Sequence, residues 1–142
     1  MNNFFKIIAQ LIYPILIIFV FTTCKKDNSE NTSVRTGNWS GSDISFVVGG
    51  NPLKISDLEF NYSGHAAGTL CSYDYESSAS FEHVTGIEGK VFTTDINTFN
   101  ISGTFVNDTI AEVEITWAMT DSNCDASYSG SKVYTAKYQR TE

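Results

Sequence analysis

The sequence predicts an all-β protein built on a single antiparallel β-sandwich, with a calycin-like β-barrel as the alternative. Apolar and polar residues alternate with a period of two in many segments, which is typical of half-buried strands. No window keeps the i, i+3, i+4 apolar spacing of an amphipathic helix, and Gly and Ser recur between the alternating segments. Aromatic residues make up 13% of the chain, so there is enough apolar surface for one core.

An N-terminal signal helix is predicted to precede this domain, over residues 1–23. Lys6 is followed by an apolar run over residues 7–21, interrupted only by Gln10 and Pro14. As a helix this run would be about 22 Å long, at about 1.5 Å per residue, which is shorter than a bilayer core of about 30 Å. The segment is therefore predicted to be a cleaved secretory signal and not a permanent membrane span.

The end of the signal contains the sequence Phe21-Thr22-Thr23-Cys24, followed at once by polar residues. This segment resembles the lipobox of bacterial lipoproteins, although Phe21 stands where Leu is usual and Thr23 where Gly, Ala or Ser is usual. The resemblance implies cleavage before Cys24, diacylation of that cysteine and an outer-membrane or cell-envelope location, periplasmic or surface-exposed. The alternative is an ordinary cleaved signal with an incidental cysteine.

Residues 24–33 are predicted to form the lipidated cysteine and a polar tether, and residues 34–142 the β domain. Removing residues 1–23 removes Lys6, so the 9 basic and 16 acidic residues of the chain become 8 and 16, a net charge of −8. Nucleic-acid binding is excluded as a function class, because a phosphate-binding face needs clustered Lys and Arg. The predicted membrane contact is through the lipid.

The strands of the β domain follow one another with short turn signals between them. The clearest is Ala111–Met119, with Ala111, Val113, Ile115, Trp117 and Met119 on its inner face. It is predicted to form a hairpin with Phe99–Phe105. The other predicted strands, which bring the total to eight or nine, are Ile44–Val48, Leu53–Tyr62, Cys71–Tyr75, Ser80–Val84, Lys90–Thr93 and Lys132–Tyr138.

Two cysteines, Cys71 and Cys124, lie within the β domain. If the signal is genuine the compartment is oxidising, and a disulfide between them is expected. Two free buried thiols are the alternative.

Several segments together resemble a family of small exported bacterial β-domains. These segments are Gly37-Asn-Trp39-Ser-Gly41, Ile44–Val48, Cys71, Ile87, Phe92, Phe99–Phe105, Cys124 and Tyr134–Ala136, where Tyr134 replaces a more usual Trp. The resemblance, to a G-x-W-x-G start and a repeated I-x-G-x-F core, supports the fold and the compartment and implies no catalytic residues. The G-x-W start is also similar to that of the calycins, which implies a barrel that holds a small ligand.

The histidines do not predict a catalytic site. His65 is expected in a loop, and His83 in a strand beside Glu82, where neighbouring side chains point to opposite faces. Too few Cys and His residues are close in sequence for zinc. No catalytic residue and no cofactor are therefore assigned, and the chain is predicted not to be an enzyme.

A weak calcium candidate is the sequence Asp121-Ser-Asn123-Cys-Asp125, which has D-x-N-x-D spacing. Ala126 and Lys132 depart from the EF-hand pattern, so a polar turn is the alternative. The disulfide is expected to bring Asp74 and Glu76 close to Asp121 and Asp125 as an acidic cluster.

The tyrosines allow two interpretations. Tyr73 and Tyr75 alternate on one strand and form either an exposed carbohydrate-binding patch or, as we favour, part of the core with their hydroxyls at its rim. The predicted function is a lipid-anchored, non-enzymatic binding or interaction module with a protein or glycan partner. The alternatives are a calycin-like barrel for a small ligand and a hydrolase-associated or inhibitor domain. An interior cavity would favour the barrel, and a cleft with convergent carboxylates the hydrolase.

Overall fold

The computed structural model describes residues 33–140, which belong to one compact unit, Thr32–Glu142. The described residues form eight antiparallel strands and no helix. The predicted all-β class is confirmed. The strands are β1 (Gly37–Ser40), β2 (Ile44–Gly49), β3 (Lys54–Gly68), β4 (Ser72–Gly86), β5 (Val91–Ile96), β6 (Phe99–Phe105), β7 (Ile110–Asp121) and β8 (Ala126–Tyr138).

The strands form one continuous sheet in the order β4-β3-β2-β1-β8-β7-β6-β5. The sheet folds over itself, because aromatic rings of β1–β3 contact rings of β5–β7 across the interior, as Phe60 and Phe99 do at 5.2 Å. It therefore has two facing layers, and its terminal strands β4 and β5 are not paired with each other.

Strand length divides the molecule into two ends. Strands β3, β4, β7 and β8 have 12 to 15 residues, whereas the other four have 4 to 7. Beyond the short strands, β3 pairs directly with β8, where Ala67 lies opposite Ser127 and Gly68 opposite Ala126. We call this end, formed by residues 63–77 and 118–130, the tip.

Most predicted strands are present, and the hairpin of β6 and β7 is confirmed by the pairing of Phe105 with Ala111. Two predictions were wrong. The segments 71–75 and 80–84 were expected as separate strands. Residues 72–75 and 80–84 instead belong to the single strand β4, because the polar residues Glu76–Ser78 continue to pair with β3. His65, expected in a loop, lies within β3.

One cluster of buried apolar side chains fills the space between the layers. Trp39 is fully buried and contacts Phe46, Phe105 and Tyr138. Gly41, two residues later, is required there because a Cβ atom would meet the carbonyl oxygen of Thr135. The G-x-W-x-G segment thus places a large ring in the core beside a close backbone contact.

Candidate functional site

The tip is held together by covalent and polar contacts between the β3–β4 turn and the β7–β8 turn. The predicted disulfide between Cys71 and Cys124 is present, with a Cα–Cα distance of 5.4 Å. Thr69 donates a hydrogen bond from its hydroxyl to the Asp125 carboxylate at 2.9 Å. These contacts fix the end of the long β3–β4 hairpin against β8.

The Asp121 carboxylate is committed to contacts within the tip. It accepts hydrogen bonds from the Tyr73 hydroxyl at 2.8 Å and from the backbone N–H of Asn123 at 2.9 Å. These two bonds hold the pKa of Asp121 below its usual value. The hydrogen bond between Tyr73 and Asp121 also raises the pKa of Tyr73. Both effects follow from stabilisation of the carboxylate and of the neutral phenol.

The calcium candidate therefore has the geometry of a polar turn in this structure. Asp121 caps the turn through Asn123, and Asp125 binds Thr69. Among residues 33–140, no three His, Cys, Asp or Glu side chains gather in a manner suited to a metal ion. The expected acidic cluster does not form there, because Asp74 and the Asp121-binding Tyr73 point to opposite faces of β4.

A Ser–His–Asp chain of hydrogen bonds lies on the outer face of the β3–β4 hairpin. His65 lies directly opposite Asp74 in the register, and its Nδ1 is 2.8 Å from an Asp74 carboxylate oxygen. Its Nε2 is 2.9 Å from the hydroxyl oxygen of Ser72. Sequence reasoning missed this arrangement because it placed His65 in a loop; alternation along Ser72 and Asp74 was the available signal.

This chain has the connectivity of a serine-nucleophile triad, but it is open to water. The side chains of His65 and Asp74 are 57% and 92% exposed. Solvent screens such a pair and weakens its effect on the serine hydroxyl. The neighbouring groove, of about 600 Å³, is a shallow part of the hairpin surface lined by Ser63, Gly64, His65, Asp74, Tyr75 and Glu76.

The hydroxyls of four tyrosines, Tyr62, Tyr73, Tyr75 and Tyr134, are hydrogen-bonded, which agrees with the favoured core-and-rim interpretation. Tyr134 donates to the carbonyl of Asn61 at 2.8 Å, and burial raises the pKa of Tyr134 to about 12. Tyr75 accepts a hydrogen bond from the Trp117 indole at 2.7 Å. These rings belong to the core and its rim and do not form an exposed carbohydrate platform.

One cluster of apolar side chains lies in the interior between the two layers. The ring contacts form two groups, one around Trp39 and one that runs from Phe60 through Tyr62 to Tyr75 and Tyr128, whose centroids are 4.6 Å apart. No charged or polar side chain is buried among residues 33–140, so the described interior holds no convergent carboxylates. Glu112 and Glu114 are exposed on β7, and His83 and Glu82 on β4.

The largest unpaired backbone feature is the edge of β4. This strand ends the sheet and, within the described part of the chain, pairs only with β3. The opposite terminal strand, β5, approaches it at one place, where the Thr85 hydroxyl donates to the Thr93 carbonyl at 3.4 Å. A groove of about 450 Å³ lies beside that contact and includes Leu53, Ile87 and Val91 in its lining.

The predicted lipidation site, Cys24, lies outside the described residues, as do the signal and most of the tether. Over residues 33–140, no helix has the length and hydropathy needed to cross a membrane. Comparison of the chain with protein-family models, with curated proteins and with solved structures gives no match. The resemblances to lipoproteins, to exported G-x-W-x-G domains and to calycins therefore stay predictions.

Proposed function

We propose that this protein is a lipid-anchored module of the cell envelope that binds its partner, a protein or glycan, through its outer surface and not in an interior pocket. The lipobox-like segment at Cys24 supports the anchor, and the acidic, polar outer surface supports a water-facing domain. Its role is recognition without catalysis.

The observation that carries this proposal is the filled interior. A calycin-like carrier needs a lined cavity for its ligand. Here the ring of Phe60 lies 5.2 Å from that of Phe99 and 6.0 Å from that of Tyr134, where a barrel would hold its ligand. The polar hairpin surface and the β4 edge, which pairs only with β3 among residues 33–140, offer surfaces for a partner.

Expression of the full chain in a Gram-negative bacterium, followed by fractionation, tests the anchor. The wild-type protein is expected in the membrane fraction, and Cys24→Ser is expected to lose lipidation and leave that fraction. Ser29→Ala is the control, because it changes a residue of the predicted tether and leaves the lipobox-like segment and the disulfide intact. Equal membrane retention of wild type and Cys24→Ser would contradict the proposal.

Native mass spectrometry of the purified protein tests the surface-binding part. We expect the mass of the processed, acylated polypeptide alone. A small molecule that stays bound through purification and is released only on unfolding would instead support the barrel.

The Ser72–His65–Asp74 chain favours a second candidate function, hydrolysis of esters through a serine nucleophile. A fluorophosphonate probe would label Ser72 in that case, and labelling would be lost in His65→Ala. We rank it second because its His and Asp side chains are exposed.

A further inference from the structure

We propose that the free edge of β4 binds an extended peptide segment in which cationic and apolar side chains alternate. This inference rests on the proposed function, since it names the class of partner that the recognition module takes. It is carried by three features of β4: an edge that pairs with no strand among residues 33–140, the lack of lysine and proline along that edge, and the chemistry of its two faces.

The unpaired edge is long enough for a stable strand addition. Residues 72–83 extend beyond the Thr85–Thr93 contact with β5, a length of roughly 40 Å at about 3.3 Å per residue. Every other residue of an edge strand directs its N–H and C=O away from the sheet. An extended peptide placed there gains main-chain hydrogen bonds, the mode of binding known as β-augmentation.

Residues 72–83 lack two features by which proteins commonly block strand addition, lysine and proline, so the charges on this edge are all carboxylates. Bulges are a third such feature. The irregularity in the pairing of β3 with β4 lies at the end of this segment, between Ile55 and Ser56 and opposite residues 83–85.

The outer face of β4 favours cationic side chains in the partner. Asp74, Glu76 and Glu82 are exposed and alternate in phase on that face, and Glu59 adds a carboxylate from β3. Together β3 and β4 carry five carboxylates and one lysine. Lys or Arg at every second position of an added strand would lie beside these groups.

The inner face favours apolar side chains at the alternate positions. Tyr75, Ala79 and Phe81 are partly buried and pack against the core, as do Ile96 of β5 and Met119 of β7. Side chains of an added strand that point inward would cover these residues and remove apolar surface from water. The two faces together specify a strand in which charge and hydrophobicity alternate.

The same charges disfavour a second copy of this chain as the occupant. Antiparallel pairing of two β4 edges centred on Ser78 would place Asp74 opposite Glu82 twice. Like charges directly opposite each other destabilise a strand pair.

The test is binding of an end-capped octapeptide of alternating Lys and Val to the full lipidated chain in an uncharged detergent. We expect saturable 1:1 binding by calorimetry. Three octapeptides provide the controls. One alternates Glu and Val and so reverses the charge. The other two are Lys–Val octapeptides N-methylated on every second residue, one at the odd and one at the even positions; each keeps the side chains, and one of them blocks the main-chain hydrogen bonds to β4.

Two double variants with the same charge change locate the site. Glu76→Gln with Glu82→Gln is expected to weaken binding about threefold to tenfold, a range set by two exposed charge pairs. Glu112→Gln with Glu114→Gln, on the outer face of the interior strand β7, is expected to change it less than about twofold.

Three results would overturn the proposal. The Lys–Val peptide does not bind, both N-methylated peptides bind as well as the parent peptide, or the two double variants weaken binding equally. A concentration-dependent dimer that the Lys–Val peptide does not dissociate would assign the edge to a second copy, which also overturns it. If Cys24→Ser still releases the protein from membranes, each of these results contradicts only the proposed β4 site. If Cys24→Ser stays in the membrane fraction, that result contradicts the proposed function itself.

Discussion

At the scale of single residues, the chain makes room for large rings by placing glycine directly opposite them. Phe92 lies opposite Gly103, Trp117 opposite Gly130, and Tyr75 opposite Gly64. At each of these glycines a Cβ atom would overlap the ring of its partner. The rings cover the glycine backbone on the inner face, which compensates for the weak strand preference of glycine.

Gly103→Ala is therefore expected to destabilise the protein by about 1–3 kcal/mol, because the buried Phe92 ring has to leave its position against Phe46 and Phe105. Urea unfolding measures the change. Gly49→Ala is the matched control, since nothing lies within 4 Å of the added Cβ atom there. A loss at Gly103 no larger than at Gly49 would contradict the packing described here.

The Tyr134 hydroxyl makes stability depend on pH. The pKa of Tyr134 is raised to about 12 by burial, against about 10 for an unfolded tyrosine. A raised pKa favours the neutral phenol in the folded state, so its contribution is complete below pH 10 and is lost as the pH rises to 12. Tyr134→Phe lacks this titration and also loses the bond to Asn61, worth about 1 kcal/mol.

We expect wild type to be more stable than Tyr134→Phe at pH 8.5, with a difference that shrinks as the pH rises from 10 to 12. Urea unfolding across that range measures it. The pKa values of Tyr73 and Tyr128 are also raised, but both residues are present in both proteins. Their contributions therefore cancel in the difference in unfolding free energy. A difference that stays constant with pH would show that Tyr134 titrates normally.

At the scale of elements, the long hairpin of β3 and β4 shows where sequence patterns stop being informative. The alternation of Leu58, Phe60 and Tyr62 predicted β3 as far as Tyr62. Beyond it, backbone pairing continues through His65 and Ser77 without an apolar pattern. The hydrogen bonds of the ladder and the contacts of the tip stabilise this part, and neither is visible in residue type.

The disulfide is the main tertiary constraint on that hairpin. Cys71 and Cys124 are 53 positions apart, and closing a loop of that length contributes about 4 kcal/mol on the chain-entropy estimate. Cys71→Ala with Cys124→Ala should lower the free energy of unfolding by about that amount. Hydrogen exchange should also increase at residues 63–75, which we expect to open first.

Two measurements check this prediction. Denaturant unfolding gives the stability change, and a change below about 1 kcal/mol would show that the crosslink contributes little. Intact mass with and without reductant checks the bond itself, because reduction of the wild-type protein must add two hydrogens.

At the scale of the whole molecule, one apolar cluster joins the two layers and both ends. Trp39 lies among the rings near β1, and Trp117 contacts Tyr62 and Tyr75 towards the tip. A single cluster of this kind is expected to unfold in one cooperative transition.

Single-tryptophan variants test this cooperativity. Trp39→Phe leaves Trp117 as the fluorescent reporter, and Trp117→Phe leaves Trp39. In each variant we expect fluorescence and far-ultraviolet circular dichroism to give the same unfolding midpoint. A fluorescence midpoint from Trp117 that precedes the circular-dichroism midpoint would mean that the tip unfolds separately.

The sequence by itself determined the all-β class, the inner face of β7, the β6–β7 hairpin and the pairing of the cysteines. These features depend on period-two alternation, short turns and the presence of two cysteines in the domain, which are local or compositional properties. Only the tertiary structure decided that one sheet folds over itself, that β3 meets β8 and that Ser72, His65 and Asp74 converge. It alone also decided that β4, within residues 33–140, pairs with no strand other than β3. Strand order and edge exposure depend on contacts between residues far apart in the chain, which no local pattern encodes.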